Sequence, residues 1–409
     1  MTNVMLDEVV KSGAIELGRG NIISTGDMAA FPGNYPVYSS SAKGNGEFGR
    51  YGRFMFDEPL ITWSVDGGGR FFFRSKHKYS VTNVCGYMRV KGNDWDQRYV
   101  YYSLDYQHSK LFFDYQSKAH PSVIRKIYTL KPLSKPEQSK IAEVLSTVDR
   151  AIAQTEALIA KQQRIKTGLM QDLLTRGIDE YGQLRSEATH RFKDSPLGRI
   201  PVEWEVINFG DAGQWFSGGT PSKANDRFWN GGVPWVCPKD MKQLELISSI
   251  DTITDYAVTA GARLMPAGTV FIVIRGMILA HTFPVGYATC GMAFNQDVKA
   301  IIAKEGVNGR YLAYWLMSHA HEFLKLTTTA THGTKRFDMD EVNAVPIGVP
   351  KLGEQNAILR ILDKQQKFID GAQGRAAKLR SLKTALMQDL LTGKVRVTPL
   401  LQQAEAATA

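Results

Sequence analysis

The groups in this chain best suited to chemistry are cations and hydroxyls set among glycines and aromatics, a combination that can hold a polyanion. Arg70, Arg74, Lys76 and Lys78 cluster around Phe71-Phe72-Phe73 and His77. They follow a loop-rich stretch, 39–46, where Ser40, Ser41, Lys43 and Asn45 stand beside small residues. In the second half, Gly219, Thr220, Ser222 and Lys223 lie in the tight turn Ser217-Gly218-Gly219-Thr220-Pro221-Ser222-Lys223. Further on, His332, Thr334, Lys335 and Arg336 fall in one short run, and Lys118-Ala119-His120-Pro121-Ser122 holds the corresponding place in the first half. Lys239 and Arg275 complete the candidate set. Arginine can clamp a guanine edge through two bonds, whereas lysines, hydroxyls and backbone amides mainly position phosphates. The net charge of +10 favours an acidic partner, of which nucleic acid is the commonest.

Catalytic fingerprints are missing from the sequence. There is no Gly-x-x-x-x-Gly-Lys-Ser/Thr phosphate loop. Nor is there an Asn/Asp-Pro-Pro-Tyr/Phe run of the kind that holds a flipped base for amino-methylation. His281, His321 and His332 are not spaced as a metal set with Cys85, Cys237 and Cys290. Paired acids such as Asp57-Glu58 read as solvated surface. Three scattered cysteines argue against a disulfide framework and for a reducing, cytoplasmic setting. No run of about 18 apolar residues is present, so no membrane span is expected.

What must position the binding residues is a repeated frame. Residues 137–175 recur without a gap as 354–392, with 16 of 39 positions identical at an offset of 217. Arg98-Tyr99-Val100-Tyr101-Tyr102 is likewise answered by Arg310-Tyr311-Leu312-Ala313-Tyr314. Within each copy, apolar or permissive residues alternate four and three apart. The first seam is Ile141, Leu145, Val148, Ile152, Thr155, Ile159, Gln162, Lys166, Leu169 and Leu173. Its counterpart is Ile358, Leu362, Gln365, Ile369, Ala372, Ala376, Leu379, Lys383, Leu386 and Leu390. This is the stripe of a coiled coil, and each helix would run roughly 60 Å at about 1.5 Å per residue. Lys166 and Lys383 occupy matching seam positions, where a lysine must reach solvent or a partner. The expected organisation is a mixed globule at 1–132, a helix at 133–178, a connector at 179–202, a second globule at 203–349, a helix at 350–395 and a flexible tail at 396–409. Helices are expected at 99–113 and 310–326, and strands at 35–38, 60–65, 70–74 and 270–274.

These features resemble the specificity subunit of a Type I restriction-modification system. The marks that carry the resemblance are Phe209-Gly210-Asp211, Ser217-Gly218-Gly219-Thr220-Pro221, Asn295-Gln296-Asp297, the helix-opening pairs Glu137-Gln138 and Glu354-Gln355, and the closing Leu-Met-Gln-Asp-Leu-Leu-Thr of both helices. The resemblance implies an α+β fold: two target recognition domains joined by two long antiparallel coiled-coil helices in a pseudo-twofold repeat. It also implies double-stranded DNA as ligand, with a bipartite, asymmetric target. Implied partners are two modification (methyltransferase) subunits, which bind S-adenosylmethionine, and restriction subunits, which use ATP and magnesium. No cofactor is expected in this chain. The first globule lacks the Gly-Gly-Thr-Pro turn and has Asn34-Tyr35-Pro36-Val37-Tyr38 with Thr62-Trp63-Ser64-Val65-Asp66-Gly67 instead. Independently of the resemblance, two readers on a stiff helix pair could not slide past each other. They would face DNA about one helical turn, roughly 34 Å, apart. The competing reading is a basic coiled-coil scaffold for protein or RNA.

Overall fold

The computed structural model describes residues 2–40, 44–66, 68–111, 118–329 and 333–408. Ser41, Lys43 and His332 lie outside the described residues. The chain falls into two compact units, Met1–Ala157 with Gln373–Ala409, and Leu158–Ala372. Each unit therefore takes one globule and part of both long helices, a division that cuts across the element-by-element one expected from the sequence.

The globules share one topology. In the first, the strands Ile15–Arg19, Cys85–Val90, Leu60–Ser64 and Phe71–Arg74 lie side by side in that order. In the second, Gly213–Ser217, Val298–Ala303, Val270–Val273 and Val285–Ala288 repeat the arrangement, with Glu245–Leu246 added at the edge. Each globule adds a smaller sheet built on a parallel pair, Tyr35–Tyr38 with Lys78–Val81 and Trp229–Val236 with Met292–Phe294. Leu60–Ser64 is buried at every residue, which suits an inner strand covered on both faces. Its Ile61 and Trp63 join Ile15, Phe71, Met88, Val100, Leu104 and Tyr128 in one core, while Leu60 packs with Tyr38, Phe56 and Tyr79. The second core gathers Phe271, Ile272, Phe294, Trp315, Leu316 and Phe323.

The long helices are Lys135–Leu173 and Leu352–Thr392. None of the twenty seam residues is exposed. In the first unit, Asp149 meets Lys383 at 2.7 Å, and Glu156 meets Arg380 at 2.5 Å. Partner numbers fall as helix numbers rise, so the segments run antiparallel. In the second unit, Gln365 donates to Gln162 Oε1 at 2.8 Å. The seam lysines find partners rather than solvent. Lys383 sits 5.5 Å from the ring of Tyr102, whose hydroxyl also donates to Asp149 at 2.7 Å. Lys166 lies 5.1 Å from the ring of Tyr314 and donates to Gln366 at 2.6 Å. Burial holds the Lys166 pKa below the ordinary lysine value. Gln366 is the repeat counterpart of Asp149, so the same device is built once with a charge and once without.

The helix starts are stapled to the globules by duplicated hydrogen bonds. Gln138, fully buried, accepts from Asp96 N at 2.8 Å and donates to the carbonyls of Asp94 and Leu133. Gln355 accepts from Asn308 N at 2.7 Å and donates to the carbonyls of Gly306 and Pro350. Asp96 and Asn308 in turn cap the helices Gln97–His108 and Gly309–Ser318. Tyr99 donates to Lys131 O and Tyr311 to Gly348 O, each at 3.0 Å. The preceding glutamates diverge. Glu137 receives Arg396 at 2.5 Å, while Glu354 receives Arg185, Ile178 N and Trp204 Nε1.

Three expectations are corrected. The helix expected at 310–326 breaks at His319 into Gly309–Ser318 and Ala320–Lys325. The His319 ring turns back on Trp315, stacking 3.9 Å from it and bonding the Trp315 carbonyl. The stretch 179–202 is more than a connector, since Phe192–Ser195 and Gly198–Pro201 pair as a hairpin across Pro196 and Leu197. The stretch 396–409 carries the helix Thr398–Thr408 instead of only a flexible tail. Its root is fixed by the Arg396–Glu137 pair and by Val397, which is buried with Met387, Leu390 and Leu391.

Candidate nucleic-acid interface

In the second globule, the chain leaves the strand Gly213–Ser217 at a glycine pressed against backbone. A Cβ on Gly218 would overlap the carbonyl oxygen of Phe294, so no other residue fits without moving the strand end. Gly219, by contrast, has open space around it and donates to the same Phe294 carbonyl at 3.0 Å. Thr220 then donates to Gln296 at 2.6 Å, and Lys299 donates to Ser217 at 2.7 Å. Asn295, buried, receives Asp297 N at 3.0 Å and shapes the turn that presents Gln296. Asp297 holds Arg275 at 2.6 Å. Beside Arg275 runs the hairpin Thr327–Thr329 and Lys335–Phe337, tied on by Gly276 N to Lys335 O at 2.9 Å and Phe337 N to Ile274 O at 3.0 Å. Thr220, Gln296, Arg275, Lys335 and Arg336 thus share one edge, with Arg336 exposed and Lys335 donating to Thr329 at 2.8 Å. Thr334 is half-buried at the head of the hairpin strand, and Ser222 and Lys223 are exposed beyond the turn. Lys239 belongs instead to the loop that Asp240 ties together through Cys237 N and Ile250 N.

The first globule has the matching turn at a place the motif reading passed over. Gly20 follows the strand Ile15–Arg19 as Gly218 follows its own, and a Cβ on it would overlap the carbonyl oxygen of Val81. Asn21 N donates to that carbonyl at 3.2 Å, as Gly219 N does to Phe294. Thr82 N bonds Tyr38 O at 2.9 Å where Asn295 N bonds Val236 O at 3.0 Å. By this register Asn83 stands for Gln296 and Ile22 for Thr220. The only hint in sequence was a glycine closing a short strand, because Asn21 and Ile22 share no letters with Gly219 and Thr220. Arg19 joins the missed residues, donating to Asn83 O at 2.6 Å. Lys118 and Arg336 do correspond, since Ala119 N bonds Val65 O at 2.9 Å exactly where Phe337 N bonds Ile274 O.

The predicted cations of the first globule separate into outer and inner. Arg70, Lys76 and Lys78 are exposed, Arg70 lying 5.1 Å from the Phe72 ring and Lys78 4.8 Å from that of Phe54. Lys118 is exposed and pairs with Asp66 at 3.2 Å. Arg74 is corrected, being buried and closed to any groove. It donates to Thr62 Oγ1 at 2.9 Å and to Asn45 O at 2.7 Å, and lies 3.6 Å from the centre of the Tyr38 ring. Burial pulls its pKa below the ordinary arginine value. Arg74 positions the turn carrying Asn45, which is itself exposed. Ser40 is half-buried and accepts Ser64 Oγ through its carbonyl at 2.6 Å. His120 caps the helix Pro121–Ile127 through Ser122. Among the described residues no group of three His, Cys, Asp or Glu side chains could hold a metal ion, and no helix is long and apolar enough to cross a membrane.

A globule built twice on one topology, each copy with a glycine turn against backbone and a cation-bearing edge, and each rooted in paired antiparallel helix segments, is the fold class of restriction-specificity proteins. The chain belongs to the family described as the Type I restriction modification DNA specificity domain, which it matches over residues 1–163 and 201–381. It is 31% identical over 243 residues to the EcoR124I/EcoR124II specificity subunit of Escherichia coli, covering 55% of this chain and 60% of that relative. The MjaVIII specificity subunit of Methanocaldococcus jannaschii is 25% identical over 363 residues, 83% of this chain and 80% of the relative. In fold it is similar to the crystal structure of a Type I S subunit from M. genitalium, with a TM-score of 0.59 at 14% identity over 95% of this chain and 96% of that one.

Proposed function

We propose that this chain is the non-catalytic reader of a Type I restriction-modification complex. Each globule takes one half of a split, asymmetric double-stranded DNA target, and the chain brings two methyltransferase subunits, and where present the restriction subunits, to that site. S-adenosylmethionine, ATP and magnesium would then belong to those partners and not to this chain. The observation that carries the reading is the paired edge: Gly218 with Thr220, Gln296, Arg275 and Arg336 in one globule, and Gly20 with Arg19, Asn83 and Lys118 in the other. The topology is shared but the groups offered to a base edge differ, which is what an asymmetric target requires. Each reader alone would touch few bases, so useful specificity needs both.

The test is a single-molecule methylation map of DNA from cells expressing this chain with its modification subunit. One split adenine-methylated motif, lost when this chain is omitted, is the expected result. A confirmed complex that writes no new motif would overturn the reading in favour of the scaffold.

A further inference from the structure

The edge of the second globule carries an apolar group that phosphate or hydrogen-bond recognition leaves unused. After Arg275 and Gly276 the chain makes a short helical turn, Met277–Ala280. Met277 is 63% exposed and Ile278 37% exposed, while Leu279, next in line, is 1% exposed and anchors the turn in the core. Backbone bonds fix the turn from both ends, Gly276 N to Lys335 O at 2.9 Å and Thr282 N to Ile278 O at 2.9 Å. Two large apolar side chains are thus held toward water on a rigid support. Next to the turn stand Arg275, paired with Asp297, and Lys335 and Arg336 of the adjoining hairpin. An apolar tip with cations beside it matches the chemistry of a duplex, with phosphates outside and stacked bases within.

We propose that Met277, with Ile278 beside it, is a wedge that enters a base-pair step of the half-site read by the second globule, while the flanking cations hold the adjoining phosphates. The inference rests on the DNA-reading function proposed above. Wedges of this kind partly unstack the step they enter and kink the duplex. The first globule does not repeat this turn at the matching place, and its exposed apolar group on that edge is Ile22, beside Arg19. Counted from the register that matches Val65 with Ile274, Gly68 stands where the second globule has Met277. Distortion caused by this turn should therefore appear in the half-site that the second globule reads.

The experiment uses the complete complex with its modification subunits and duplexes carrying 2-aminopurine at successive positions, the methylated adenines excluded. Wild type should brighten the probe severalfold at one step of one half-site. M277A should return that signal to the duplex level and weaken binding about tenfold, the scale of one lost apolar side chain. M277L, which keeps the bulk, should retain both. Because Met277 is exposed, circular dichroism of the variants should match wild type. Normal methylation of a split motif with no bright step, or with a bright step indifferent to M277A, overturns the wedge and leaves the reader intact. Absence of any split motif overturns both.

Discussion

Replacing Gln355 by leucine keeps the volume of the side chain and deletes three hydrogen bonds, to Asn308 N, Gly306 O and Pro350 O, the last of them buried. The Gln355 side chain is fully buried and its bond to Pro350 O is buried, while Asn308 is half-buried and Gly306 exposed. A typical bond contributes about 1 kcal/mol net and an orphaned buried group costs about 1–3 kcal/mol, so two part-buried bonds and one orphaned carbonyl sum to a loss of roughly 3–5 kcal/mol. At a urea dependence of about 2 kcal/mol per molar, the unfolding midpoint of the second unit should fall by about 2 M. Gln138 makes the same three bonds in the first unit, so Q138L should cost that unit a similar amount. Hydrogen exchange read by peptide gives a local check. The Asn308 amide should lose protection in Q355L and keep it in Q138L. If Q355L unfolds within about 0.5 kcal/mol of wild type, or if Asn308 exchanges no faster, the junction is not held by this side chain and the reasoning fails.

Further outcomes follow from the same geometry. G218A should sharply weaken DNA binding because its methyl meets the Phe294 carbonyl, whereas G219A, in open space, should bind nearly as wild type; equal behaviour in a gel-shift assay would refute the steric argument. R74A should lower stability by about 2–4 kcal/mol through lost ring contacts and unpaired polar groups, while K76A should leave melting unchanged and reduce the salt slope of DNA binding by about one. The carboxyl of Glu137 is held below the ordinary glutamate value, first by Arg396 and then by Ser134. Because the folded pKa is depressed, its stabilisation is present above about pH 4.5 and is lost as pH falls through the folded value. The urea midpoints of wild type and E137Q should converge on acidification, and a gap independent of pH would contradict this.

The sequence by itself determined the frame. A gapless repeat with a four-three seam leaves a helix one way to bury its stripe, and none of the twenty seam positions named from spacing is exposed. The Glu-Gln pairs were legible for the same reason, since repetition marked them before any contact was known. The reading edges were legible only in part. Thr220 and Arg336 do reach the surface, but a cation in a loop carries no local sign of which way it faces. Arg74 and Lys76 are two residues apart, and only the rings and carbonyls packed around Arg74 decide that one is internal and the other free to meet an anion. Gly20 could be matched to Gly218 only after the strands were paired, because the likeness lies in a carbonyl supplied by a distant strand. Helix periodicity is written in neighbours three and four residues apart. Loop burial and edge chemistry depend on partners from a dozen to several tens of residues away, and those the tertiary structure alone decided.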